Sequence, residues 1–593
     1  MNISLRAYWE LLSRHIRPQR GRFALLSVLI FTSIGLQVVN PQIMRYFIDT
    51  ALAGGALQHL MIAAAGFITI ALVQQAVSVS VTYLGENVAW TATNALRAEL
   101  ADHCLNLDMG FHNNHTPGEL IERIDGDVTE LANFFSQFMV MLAGNSLLLV
   151  GILIALFAEN WKIGLAFALF AVVTLSALNR VRNISVVHQK AFRQATADMY
   201  GYVEEQLAAT EDVRSSGAVD YSLRELHRLQ GDIMRHDYKS GYRNWIINIV
   251  TGTMMALGMI LVMTSGYLLY TASAITIGTV YLFIHYIELL DQPFWRLTRQ
   301  VQEFQTIGAC VERLTELRKI QPRVEDVPAD KEITAPIAVR QPGSGQKQLA
   351  LRFENVSFSY NSDDLILENL SFQVQNGAVL GLLGRTGSGK TTLSRLVFRL
   401  YDPTAGHIWV NDRNIREMGL QALRKRIGLV TQEVQLFQAS VRDNLTFFDR
   451  TISDRQIINV FQELDLGSWF GSLSNGLDTR LASGGHSLSA GEAQLLALAR
   501  VFLRDPGLVI LDEASSRLDP ATEQRIERAI NKLLAGRTAI VIAHRLATVQ
   551  RASEIMILEG GKIGEMGKRE ELASNPNSQF YHLLQTGMQE VLA

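Results

Sequence analysis

One stretch of this chain, Gly384-Arg385-Thr386-Gly387-Ser388-Gly389-Lys390-Thr391, has residue types and spacing suited to holding phosphate. It fits the pattern G-x-x-x-x-G-K-[ST], follows the apolar run Val379–Leu383 and opens a helical run beginning at Thr392. Glycines let backbone N–H groups turn inward around phosphate oxygens, and a helix N-terminus adds favourable partial charge. Lys390 would reach the outer phosphates of a bound nucleotide, and the Thr391 hydroxyl would ligate Mg²⁺. An ordinary glycine-rich turn is the plain alternative, but the strand before and the helix after favour the phosphate loop. A second element, Leu508-Val509-Ile510-Leu511-Asp512-Glu513, sets two carboxylates at the end of a buried strand. Asp512 is placed to hold the Mg²⁺ shell and Glu513 to polarise an attacking water. By itself such a pair is commonly a solvated loop; downstream of a phosphate loop the catalytic reading is preferred.

Those residues need a sheet and helices to hold them, and only the second half supplies both. Apolar runs Leu351–Phe358, Ala378–Leu383, Ile427–Val430, Leu508–Leu511 and Ala539–Ile542 alternate with helical stretches, the rhythm of an α/β domain with a largely parallel sheet. The first half is different. Six apolar segments, near Phe23–Ile43, Leu60–Leu84, Phe134–Phe157, Ile163–Val181, Ile246–Leu269 and Ile275–Leu290, approach the ~20 helical residues that cross a bilayer core of ~30 Å. Strands of a membrane barrel would alternate and be about half as long. The loops after the second and fourth segments are long and carry Arg97, Arg123, Arg180, Arg182, Lys190, Arg193, Arg214, Arg224 and Arg228. The other connections carry almost no positive charge apart from Lys162, so the long loops and both termini are expected on the cytoplasmic side. Arg6, Arg14, Arg17, Arg20 and Arg22, mixed with Trp9, Leu11 and Leu12, read as an amphipathic lead-in to a retained span rather than a cleaved signal.

Pro322, Pro328, Pro336 and Pro342 with Gly343-Ser344-Gly345 mark a linker. The expected organisation is therefore a multidomain membrane protein. An all-α six-helix transmembrane domain spans residues 1–320, a linker 321–349, and an α/β P-loop ATPase domain 350–593. The 593 residues exceed one ordinary core. Net charge is −3, from 54 Lys plus Arg against 57 Asp plus Glu, which gives no reason to expect a nucleic-acid partner. Two cysteines, Cys104 and Cys310, exclude a disulfide framework and offer no metal-ligand spacing.

Taken with further motifs, nearly the whole chain resembles a half-transporter of the ATP-binding-cassette (ABC) exporter family. Leu488-Ser489-Ala490-Gly491-Glu492 stands where the family's signature L-S-G-G-Q stands, and Gln432, His544 and Tyr360 match its glutamine loop, switch histidine and adenine-stacking aromatic. Ser516-Arg517-Leu518-Asp519 matches the loop that crosses the dimer interface. Phe111, Thr116-Pro117-Gly118-Glu119-Leu120, Arg123 and Asp127-Val128 look like the first intracellular loop, and Glu204-Glu205-Gln206-Leu207 through Gly217 like the second. The resemblance implies ATP with Mg²⁺, held by the phosphate loop through Thr392, by Tyr360, and across a head-to-tail dimer by Ser489 and Gly491. It implies catalytic roles for Glu513, His544 and Gln432, with Gln432 also near the metal. Short helices near Asp125–Leu131 and Thr210–Gly217 would transmit closure to the spans, giving alternating access. A multi-pass protein of a bacterial inner membrane, surrounded by lipid and exporting an amphipathic drug-like or lipid-like molecule, is the implied setting.

The sequence departs from the family at three places. Ala490 replaces a glycine, Glu492 a glutamine, and Ser483 stands where a glutamate is usual. Glu492 would oppose a phosphate at the helix start by about 2 kcal/mol at ~8 Å and an effective dielectric of ~20. With Glu513 retained, this pattern favours a heterodimer with a different half-transporter and one weakened site; a homodimer tolerating conservative changes is the alternative. His285 and Glu288, three apart in the sixth segment, share a helical face. They are read either as lining the translocation path and favouring cationic or polar groups, or as a structural pair. Import on the same scaffold and a nucleotide-gated regulator with little turnover are the rival functions; Glu513 and His544 argue against the regulator.

Overall fold

Within hydrocarbon, every backbone N–H must find its partner inside its own segment, so long apolar runs become helices. The computed structural model describes residues 13–137, 144–327, 348–361, 364–431, 434–482, 488–512, 520–543 and 549–586. They fall into two compact units: Met1–Leu105 with Pro117–Ile320, and Asn106–Thr116 with Gln321–Ala593. In chain order the principal helices of the first half are α1 (Arg20–Leu52), α2 (Leu57–Asn106), α3 (Met109–Asn114), α4 (Val128–Gln137), α5 (Gly144–Glu159), α6 (Trp161–Ala208), α7 (Thr210–Ser215), α8 (Val219–Thr271) and α9 (Ile277–Lys319). The six apolar segments lie on α1, α2, α4 with α5, α6, α8 and α9, residues 138–143 of the third being outside the described residues. Among the described residues four helical stretches, Ser13–Leu52, Leu57–Asn106, Trp161–Arg180 and Asn248–Thr271, are long and apolar enough to cross a membrane, and α5 is a shorter apolar helix. At 1.5 Å per residue α2 runs about 75 Å, more than twice a bilayer core, so the polar loops expected after the second and fourth segments are largely continuations of the helices themselves.

The core of this unit is packed where α5, α6, α8 and α9 meet, around Ile152, Phe167, Val262, Phe283 and Tyr286, all buried. Phe31, Ile62, Leu72, Leu169 and Ile260 point outward, as a surface solvated by lipid requires. Polar ties fix the ends. At one end Arg45 binds Glu159 at 2.5 Å, while Asp49 accepts from the Thr276 hydroxyl at 2.7 Å and the Gly278 amide at 2.9 Å. In the helix extensions, Glu99 meets His15 at 2.9 Å and Arg318 at 2.7 Å, and the buried Asp127 takes a two-pronged bond from Arg313. Asp127 closes a π-helical turn, Glu122–Asp127.

The expected loop-tip helix near Asp125–Leu131 is a misplacement. Those residues belong to the π turn and α4 in the first unit, whereas the short helix that packs with the second unit is α3, Met109–Asn114. Asp108 starts it, its carboxylate accepting from the Phe111 amide at 3.1 Å. The second tip helix, α7, stands at Thr210–Ser215 as expected.

In the second unit β1 (Leu351–Ser359), β2 (Leu365–Val374), β4 (Ala405–Val410) and β5 (Arg413–Asn414) form an antiparallel sheet in the order β2-β1-β4-β5. The six-stranded sheet runs β10-β9-β3-β8-β7-β6, with β3 (Val379–Leu383), β6 (Ile427–Val430), β7 (Leu508–Asp512), β8 (Thr538–Ile542), β9 (Glu554–Glu559) and β10 (Lys562–Lys568). All its pairings are parallel except β9 with β10. The run Leu351–Phe358 thus belongs to the antiparallel layer, not the parallel one. Burial on both faces explains the unbroken apolar runs of β3, β7 and β8. Helices α10 (Lys390–Val397), α11 (Ala490–Arg504), α12 (Pro520–Leu534) and α13 (Gln579–Thr586) complete the set used below.

Candidate nucleotide site and membrane cavity

Because β3, β7 and β8 are parallel, their C-terminal ends share one edge, where open α/β sheets bind ligands. The phosphate loop leaves β3 there, and Asp512 ends β7 beside it. Two glycines make the loop possible. Gly384 has φ +149° and Gly389 φ +103°; a Cβ on the first would meet Leu558 O at 2.3 Å, and on the second Leu367 Cδ2 at 2.5 Å. Lys390 is buried, its ammonium donating to the Gly384 and Arg385 carbonyls at 2.6 and 3.0 Å, so the cation is held inside the loop's curve. Among the described residues the buried Ser388 hydroxyl oxygen has no hydrogen-bond partner, which leaves it available to a bound phosphate oxygen. Gly387, Arg385 and Thr386 form the outer wall of a 770 Å³ cavity against α13. The Thr391 hydroxyl lies 3.4 Å from Asp512 Oδ2. An oxygen-only donor set of this kind suits Mg²⁺. Gln432, Glu513 and His544 lie outside the described residues, as do Ser483–Gly485 and Ser516–Asp519.

Tyr360 sits beside the first turn of α10: its hydroxyl is 3.1 Å from Thr392 Oγ1 and accepts from Arg395 Nη1 at 3.1 Å. Tyr401 meets its ring edge-on at 5.1 Å and accepts from Asn113 Nδ2 of α3 at 2.8 Å. Arg395, Tyr401 and Asn113 were not apparent from the sequence; Asn113 and Tyr401 are 288 positions apart.

At the start of α11, Ser489 and Glu492 form a reciprocal cap. The Glu492 carboxylate accepts from the Ser489 amide at 2.8 Å and hydroxyl at 2.9 Å, while Ser489 Oγ accepts from the Glu492 amide at 3.3 Å. The carboxylate therefore occupies the helix start that would otherwise attract an anion. Ser-x-x-Glu is the sequence signature of such a cap and would have revealed it. Gly491 is buried in the helix behind it.

In the membrane unit His285 Nδ1 lies 3.8 Å from Glu288 Oε2, with the His285 ring stacked on Tyr281. Glu288 lines a cavity of 520 Å³ among α1, α2, α5 and α9; His285 is not in its wall.

Comparison with known proteins places this architecture. The profile for the ABC transporter transmembrane region matches residues 23–294 and the ABC transporter profile matches residues 367–516, together more than half of the chain. An ATP-dependent lipid A-core flippase of Ralstonia nicotianae is 28% identical over 578 residues, covering 95% of this chain and 94% of that one. ABC transporter B family member 6 of Dictyostelium discoideum is 29% identical, covering 97% and 84%. The solved structure of a bacterial Atm1-family ABC exporter with ATP bound superposes with a TM-score of 0.77 at 22% identity, over 96% of this chain and 98% of that one, and so shares the fold. With both matched regions fused in one polypeptide, the chain belongs to the ABC transporters, and it is an ATPase coupled to transport across a membrane.

Proposed function

We propose that this chain is one half of an ABC exporter that moves an amphipathic small molecule, drug-like or lipid-like, across a bacterial inner membrane, paired with a different half-transporter. The observation that carries the pairing is the contrast between two ends of one ATPase domain. Lys390, Ser388, Thr391 and Asp512 are arranged to hold a nucleotide, whereas Ser489 is occupied by the Glu492 carboxylate. In a head-to-tail pair, a partner's nucleotide would meet that carboxylate, and this chain's nucleotide would meet the partner's signature helix.

The chain's own residues then divide the work. The loop amides from Gly384 to Thr392 and the Lys390 ammonium bind the phosphates, and Tyr360 stacks on the base. Thr391, Asp512 and Gln432 would hold Mg²⁺, which would supply positive charge against the negative charge of the transferred phosphoryl group. Glu513 takes the proton from the attacking water, and His544 orients the outer phosphate. Glu288, with His285 behind it, lines the path of the cargo, and both termini lie in the cytoplasm.

Purifying this chain alone and with candidate partners tests the pairing. The heterodimer requires cargo-stimulated ATP turnover only with a second chain. A stable homodimer turning over ATP at full rate ends the idea. ATP-dependent uptake into inverted vesicles is the expected direction, and accumulation on the opposite side would make the chain an importer.

A further inference from the structure

Polar side chains inside an apolar span are costly and therefore face a cavity or a partner. The 520 Å³ cavity among α1, α2, α5 and α9 gathers them: Gln37, Gln74, Gln75 and Gln292 line it, with Glu288 and Arg296. Glu288, Gln292 and Arg296 are spaced i, i+4, i+8 on α9, so they follow one another along one face. Counting 1.5 Å per residue from Ile277, Glu288 lies about 17 Å and Arg296 about 29 Å along the helix. A hydrocarbon core of ~30 Å puts the carboxylate near its middle and the guanidinium near one face. Arg296 has no ion-pair partner among the described residues, and the one ion-pair contact of Glu288 is His285 at 3.8 Å. Ile34, Val81 and Leu148 complete the wall with apolar surface.

We infer that this cavity recognises an amphiphile whose headgroup carries both an amine and an acidic group, the amine at Glu288 and the acid at Arg296. The inference rests on the reading of Glu288 as part of the cargo path. A cavity selecting lipophilic cations would need the carboxylate alone, and one selecting anions the guanidinium alone. Glu288 and Arg296 stand about 12 Å apart along the axis at their backbones, a gap that their flexible side chains can narrow, and with Gln292 between them and neutral amides around them they suit a headgroup bearing both signs. The amides donate and accept hydrogen bonds without favouring either sign. The apolar wall takes the first part of an acyl chain.

The test uses the full-length protein, with its partner where it has one, in a non-ionic detergent. Three probes of equal chain length are titrated: tetradecanoyl lysophosphatidylethanolamine with both charges, the matching lysophosphatidylglycerol with the acid alone, and tetradecylamine with the amine alone. Melting temperature and ATP turnover are followed. Each single-charge probe forgoes one charge-assisted contact, so the zwitterion is expected to half-saturate at least about tenfold below either of them. Glu288→Gln removes its advantage over the acid probe, and Arg296→Gln its advantage over the amine. Equal half-saturation by all three probes overturns the inference, as does an amine that matches the zwitterion in wild-type protein. This ranking needs no variant to fold. Glycerophosphoethanolamine, which lacks the chain, is expected to be at least about tenfold weaker, and equal binding would overturn the amphiphile assignment. Zwitterion-selective melting shifts without any stimulation of ATP turnover would leave this binding site standing and end the reading of Glu288 as part of the cargo path. Turnover raised equally by every probe would do the reverse.

Discussion

Replacing Glu492 by Gln isolates one charge at the start of α11. Gln can still accept from the Ser489 amide, so the reciprocal cap and the helix are kept while the negative charge goes. The carboxylate oxygen lies 2.9 Å from Ser489 Oγ. A phosphate oxygen bound on the far side of that hydroxyl would be ~5 Å from it. At that separation two unit charges repel by ~3 kcal/mol at an effective dielectric of ~20 and by ~1 kcal/mol in water. The variant should therefore strengthen nucleotide-dependent closure by roughly 5- to 150-fold. The assay is the KM for ATP, with binding of a fluorescent ATP analogue, at low and at 0.5 M salt. Screening shrinks the wild-type penalty, so the gain should be largest at low salt. Values within twofold of wild type at both salts would refute the view that this carboxylate opposes the nucleotide.

Three further outcomes follow from the packing. Arg313→Ala leaves the buried Asp127 carboxylate without its cation; because the Arg313 side chain is itself half-exposed, water offsets part of the loss, and a cost of about 1–3 kcal/mol should lower the melting temperature, while Arg313→Lys, which cannot make the two-pronged bond, should recover only part. Burial raises the Cys310 thiol to about 12, reinforced by its hydrogen bond and charge contact with Asp127, and burial also raises Cys104; both should resist thiol reagents at pH 8 in native protein and react on denaturation, with the fold's stability unaffected below the ordinary thiol range and eroded as pH climbs from it toward 12. Burial acts to raise the pKa of Glu99, but Arg318, His15 and Arg14 outweigh it and hold it low, so its contribution to stability should persist above the ordinary carboxylate pKa and be lost as pH falls below it, a loss that Arg318→Ala should reproduce at pH 7 in a thermal melt.

What could be read from the sequence was what is local. The glycine-rich pattern is eight consecutive residues, so the turn from β3 into α10 that sets the Lys390 ammonium inside the loop and the Thr391 hydroxyl beside Asp512 is encoded locally. The apolar segments are equally self-contained, since a span must satisfy itself. Contacts formed by chain topology were hidden: nothing near Asn113 announces Tyr401, and nothing near Asp127 announces Arg313. The tip helix was misplaced for a related reason, because the acidic stretch around Asp125 looks like a polar loop, whereas a π turn tucks Asp127 inward. Gln37, Gln74 and Gln75 were in view as polar residues within apolar segments, but their convergence on one cavity depends on how the helices pack.

The grouping of residues Asn106–Thr116 with the ATPase fold bears on how such proteins can be recombined. A graft that swaps everything after residue 320 for a cousin's counterpart severs Asn113 from Tyr401 and Asp108 from the Arg323 amide. Hybrids should splice in three pieces, carrying the eleven-residue insert along with its host, and lineages that shuffle these modules would be obliged to coevolve the insert with a fold it is not contiguous with.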